Sequence, residues 1–147
     1  MARFKGEYPT ELLDTFEELE ANLPEMMGEM CKAGASVIYN EIVKNISKSF
    51  SKTDKLLKHL KITKIYKTPS DFGINVHVGF YGYDEDSKPT ERHKKGTPIP
   101  LIALAREYGT SMNEKKKPFL RKAFKKTELI EQAMLEVQNK YIEGDDQ

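Results

Sequence analysis

With one cysteine, three histidines and no long apolar run, this 147-residue chain is first defined by what it lacks. A lone Cys31 cannot close an internal disulfide, and the N-terminus has no apolar run of the signal-peptide kind, so a cytosolic compartment is expected. No segment approaches the ~20 apolar residues of a membrane helix, and no membrane role is expected. His59, His77 and His93 are scattered without partners at metal-ligand spacing, which argues against zinc. The glycines are dispersed, and none opens a phosphate loop ahead of a Lys-Ser or Lys-Thr pair. No serine or cysteine sits in the setting of an activated nucleophile. Cys31 falls on an apolar helical stripe, where a buried, inert thiol is expected. Glu107 has no second carboxylate at short spacing for acid–base work, and beside Arg106 it reads as structural. The expectation is therefore no enzyme, no cofactor and no metal.

What is present is charge. Hydrophobic residues make up 38% and charged residues 32%, the composition of a folded chain with much polar surface, and the length fits a single domain over 1–147. The net charge is only +1, yet it is laid out in blocks. Eight acidic residues precede Lys32 (Glu7, Glu11, Asp14, Glu17, Glu18, Glu20, Glu25, Glu29) against Arg3 and Lys5. From Lys32 to Lys67 nine lysines face Glu41 and Asp54, and the chain is basic again at Lys115, Lys116, Lys117, Arg121, Lys122, Lys125 and Lys126. Two readings follow. The blocks are a solvated surface, or they are acidic and basic faces that meet between identical subunits in a head-to-tail ring.

Periodicity predicts an α+β fold, with long N-terminal helices and a C-terminal helix packed on a small antiparallel sheet. Thr10 suits an N-cap, and Leu12, Leu13, Phe16 and Leu19 continue a first helix over Pro9–Ala21. Asn22 punctuates it, and Pro24 starts a second helix to about Ile46 with Gly34 and Ala35 as close-approach positions. Ser47–Thr53 reads as a loop, with Thr53 capping a short turn through Leu57. Leu60–Tyr66 and Ile74–Phe80 alternate around the turn residues Pro69–Gly73 and form a hairpin whose apolar face lies on the long helix. The polar stretch 81–97 is expected as a mobile loop. Leu101–Ala105 belong to a short helix ended by Gly109, and a last helix runs from Pro118 to about Tyr141, with 143–147 frayed. Tyr108, Phe119, Leu120 and Phe124 are expected core anchors. Arg121, a cation near a helix start, is either solvated or paired with a carboxylate such as Glu107.

The order Glu107, Tyr108, Gly109, Thr110, then Pro118, Phe119, Leu120, Arg121 and Ala123, followed by an amphipathic C-terminal helix, resembles a known family. These are the tail-completion (neck, head–tail joining or minor tail) proteins of long-tailed, lambda-like bacteriophages and prophages. The chain departs from that pattern at Ser49, Ser51 and Lys52, where a Gly-rich linker is common, and in its more charged insert before Pro98. The resemblance implies a structural virion protein of the neck. It would form a ring, hexameric by resemblance, around the channel through which DNA passes as cargo, between head-closure and tail-terminator proteins. It also implies a virion location, with the host cytoplasm during assembly. Candidate interface residues are Glu17, Glu18, Lys115, Lys116, Lys117 and Arg121. The alternative is a small DNA-binding module using the basic segments 44–67 and 115–126, against which stands the absence of recognition-helix punctuation. A toxin-like or regulatory α+β protein is a third, with no motif behind it.

Overall fold

The computed structural model describes residues 9–50, 54–112 and 115–143. Its dominant element is α1 (Thr10–Ser49), a single helix of 40 residues with Pro24 inside it. The predicted break at Asn22 does not occur. A proline inside a helix removes one hydrogen bond, at a cost of about 3 kcal/mol. Here the stripe beyond it, from Gly28 against Ile65 to Ile42 and Ile46 in the core, packs on the rest of the fold and holds the helix in phase. Pro9 precedes the first turn and accepts from Leu12 and Leu13 N–H at 3.0 and 3.3 Å, so Thr10 is helical rather than the cap. At the other end the helix runs through Ser47–Ser49, expected as loop, and is closed by Phe50 N–H on the Ile46 carbonyl at 2.9 Å.

The cap of α2 (Lys55–His59) is Asp54, whose carboxylate accepts from Leu56 N–H at 2.9 Å; the expected cap Thr53 lies outside the described residues. Next come β1 (Leu60–Ile62), β2 (Tyr66–Lys67), β3 (Ile74–Asn75) and β4 (Val78–Phe80). β1 pairs with β4 and β2 with β3, both antiparallel, and together they form the predicted hairpin. Its register shifts by one residue between Ile62↔Val78 and Tyr66↔Asn75, so the first strand carries an extra residue, a bulge that splits the ladder. The hairpin lies on α1, as its apolar face predicts.

Segment 81–97, expected to lack a pattern of its own, carries a short ladder that brings its ends together. β5 (Tyr83–Asp84) pairs with β6 (Thr97–Pro98), and Ser87 Oγ donates to the Asp84 carbonyl at 2.8 Å while accepting from Thr97 N–H at 2.6 Å. Buried Asp84 is bound to Lys55 Nζ at 2.5 Å; the lysine hydrogen bond, opposed by burial, holds this carboxyl below its ordinary value.

The chain then forms α3 (Ile99–Tyr108), α4 (Leu120–Phe124) and α5 (Thr127–Glu143). The expected single helix from Pro118 is two. Its first turns tighten at the end of α4, where Lys126 N–H bonds the Ala123 carbonyl at 3.2 Å in the three-residue pattern, and α5 starts afresh. Pro118 lies ahead of α4 rather than at its first position. Of the expected frayed tail 143–147, Glu143 is the last helical residue of α5, and residues 144–147 lie outside the described residues.

α5 runs antiparallel along α1: a Cβ on Gly34 would come within 3.3 Å of Ile130 and Met134, while Tyr141 lies beside Glu25 and Glu29. Burial and these two carboxylates raise the Tyr141 phenol above its ordinary value. The fold is α+β, a long helix and a C-terminal helix against small antiparallel ladders. The core joins Ile42 and Ile46 of α1 to Leu56, Leu60, Phe80, Ile99, Ala103, Phe119 and Ala123. Phe119 is its centre, fully buried and edge-on to Phe50 and Phe80 at 5.9 and 6.0 Å. Tyr108 and Phe124 are not core: they are 56% and 50% exposed, because Ala103 and Ala123 occupy the inward faces of α3 and α4. Cys31 is half-buried, with its thiol 3.8 Å from the Ile74 carbonyl.

Candidate functional site

The residues that carry the family resemblance meet at the junction of α3 and α4. Gly109 ends α3 with φ 78°, a backbone that a side chain resists, and its N–H returns to the Ala105 carbonyl at 2.7 Å. The loop comes back when Lys117 N–H bonds the Arg106 carbonyl at 3.0 Å. Glu107, 1% exposed, then reaches across to the start of α4. Its Oε2 accepts from Phe119 and Leu120 N–H at 2.6 and 2.9 Å, and its Oε1 from Arg121 N–H and Nε at 3.2 and 3.1 Å. The carboxylate thus satisfies the orphan donors of a helix start, where negative charge is also favoured by the helix dipole.

Burial alone pushes the Glu107 carboxyl up. The three backbone N–H groups and the Arg121 guanidinium outweigh it and hold the group below the ordinary glutamate value. A carboxylate that is ionised, enclosed and engaged by four donors is a poor general base, which needs a free lone pair and a raised pKa. The pairing of Arg121 with Glu107 is present, and the guanidinium also stacks over the Tyr108 ring at 5.0 Å. Arg106 does related work beside it. Its Nη1 is 2.7 Å from both oxygens of Asp54, the cap of α2, and its guanidinium lies 4.8 Å from the centre of the Phe50 ring. Thr110 is exposed, Pro118 and Leu120 are half-buried. The junction ties α2, α3 and α4 together.

The candidate interface residues are not brought to one place. Glu17 and Glu18 are exposed on the first turns of α1, Lys115, Lys116 and Lys117 are exposed ahead of α4, and Arg121 is committed to Glu107. Before Leu23, α1 is exposed except at half-buried Leu19. Leu12, Phe16, Leu19, Leu23 and Met27 recur on one face there, and Leu12, Leu13, Phe16, Leu23 and Met27 are all exposed. At Leu23 the stripe runs into an apolar cleft of about 440 Å³ that Pro24, Met27 and the hairpin-tip Phe72 also line. Phe72 is 90% exposed and has φ 55°, a strained backbone for a phenylalanine.

A second cleft, also about 440 Å³, is lined by Glu41, Lys44, Asn45, Lys48, Ser49, Lys122, Lys125 and Lys126. Sequence reasoning named the two basic segments but not their convergence, which only the packing of α4 on α1 creates. Among the described residues no three His, Cys, Asp or Glu are grouped as metal ligands, and no helix is long and apolar enough to cross a membrane. No known protein family, curated protein or solved structure matches the chain.

Proposed function

We propose that this chain is a structural, non-enzymatic protein of a bacteriophage neck, a ring subunit that joins tail to head around the DNA channel. Its partners are copies of itself, six to a ring by resemblance, and the head-closure and tail-terminator proteins. Its location is the virion, and the host cytoplasm during assembly.

One observation carries the reading: the start of α1 presents an apolar stripe to solvent on an acidic helix, continuous with the cleft at Leu23 and Phe72. Contiguous exposed apolar surface with a polar rim marks an interaction site. The stripe and the basic cleft are different surfaces at opposite ends of α1, and the 27 residues from Glu17 to Lys44 span about 40 Å. The stripe is thus available to meet a different, apolar surface of the next copy head to tail, a contact of the kind that closes into rings, and the cleft is left open. The Glu107 junction supplies a rigid body for such contacts.

The test is genetic. Portal, capsid and major tail genes beside this one, and filled heads with detached tails when it is deleted, are the expected results. Complete infectious particles without the chain would refute the reading.

A further inference from the structure

We propose that the cleft between α1 and the α4–α5 corner is a phosphate-backbone site that grips duplex DNA without reading its sequence. Lys44 and Lys48 stand one turn apart near the end of α1, and Lys122, Lys125 and Lys126, more than 70 residues later, close over the same space. Elsewhere the fold neutralises its inward-facing cations: Lys55 on Asp84, Arg106 on Asp54, Arg121 on Glu107. In the cleft only Lys44 has a carboxylate, Glu41 at 3.7 Å; Lys48, Lys122, Lys125 and Lys126 have none among the described residues.

Helix dipoles account for part of this arrangement: Lys48 complements the C-terminal end of α1, and Lys122 and Lys125 that of the short α4, but Lys126 directly precedes α5, where the dipole disfavours a cation and favours an anion. The lining residues also select the anion. They include no aromatic side chain to stack a base and no apolar one to bury, so the cleft offers point charges and the Ser49 hydroxyl, while the Asn45 amide is committed to the Phe119 carbonyl at 3.0 Å. Phosphodiester oxygens match that set. The acidic start of α1 from a second copy matches it less well, because Leu12 and Phe16 would find nothing apolar there. A phosphate grip at this cleft stands independently of the neck reading.

The test is fluorescence anisotropy with a labelled duplex of about 20 base pairs and the full chain between 50 and 200 mM salt. Four unpaired lysines neutralising four phosphates give a fall in affinity of about 150-fold over that range, and the K122A/K125A/K126A triple variant a fall of about fourfold. The three lysines are exposed, so the variant keeps its melting temperature. Arginine at the same positions restores the steep dependence. K94A/K95A, in the basic surface around His93, leaves it unchanged. Absence of duplex binding at 50 mM salt, or equal effects of the two alanine variants, overturns the proposal. So does a triple variant that loses self-association but binds duplex as before, which would give the cleft to the acidic helix of another copy.

Discussion

Replacing Glu107 by Gln isolates the charge at the α3–α4 junction while keeping its shape. The amide oxygen can still accept from Phe119 and Leu120 N–H, now at 2.6 and 2.9 Å from Oε2. The amide nitrogen then faces two donors, Arg121 N–H and Nε, which stand 3.2 and 3.1 Å from Oε1. Two charge-assisted bonds are lost, at about 1–1.5 kcal/mol each once the screening of the half-exposed Arg121 is discounted, so the variant is destabilised by about 2–3 kcal/mol. At about 3 °C per kcal/mol for a chain of this size, the melting temperature falls by about 6–9 °C. The pH dependence separates charge from packing. Because the folded glutamate is held below its ordinary value of 4.5, its contribution is present above that pH and is lost as pH falls through the lowered folded value. Calorimetry of both proteins from pH 7 down to pH 3 therefore shows the gap between them narrowing in acid. Equal melting temperatures at pH 7, or a gap that does not change with pH, would refute the carboxylate clasp.

Other substitutions sort the core from the surface. Phe119→Ala removes the fully buried ring between Phe50 and Phe80 and costs about 3–5 kcal/mol in denaturant unfolding, whereas Phe124→Ala, at a half-exposed ring, costs less than about 1 kcal/mol. Equal costs would place the two rings alike. Gly96→Ala sets a Cβ 2.5 Å from the Asp84 carbonyl oxygen on a backbone with φ 93°, and destabilises by at least about 2 kcal/mol. An unchanged melt would show that the 81–97 loop contributes little to the fold.

Much of the architecture is legible in the sequence where periodicity and punctuation agree. The stripe Met27–Ile46, the alternation from Ile74 to Phe80 and the stop at Gly109 each appear in the structure as helix, hairpin and helix end. The pairing of Arg121 with Glu107 is also legible, because a cation at a helix start is mismatched unless a carboxylate joins it. Three kinds of feature are not. Pro24 reads as a boundary because the local rule ignores tertiary packing, which here carries α1 through it. The break after Phe124 has no glycine or proline to announce it, and the β5–β6 ladder is too short to leave a period. Tyr108 and Phe124 lie on apolar helices, but periodicity does not say which of two adjoining faces is covered. The lysine cleft is invisible for a related reason: it exists only once α4 lies on α1.

The central claim is that the exposed start of α1 is an assembly surface. Sedimentation velocity across a concentration series, on the wild-type chain and on an L12S/F16S variant, tests it most directly. The wild type is expected to sediment as a monomer when dilute and to shift reversibly to larger species as concentration rises. The variant is expected to remain monomeric with an unchanged melting temperature, since both side chains are exposed in the monomer. Identical sedimentation of the two at every concentration, or a closed wild-type oligomer that persists on dilution and ignores salt, would contradict the account.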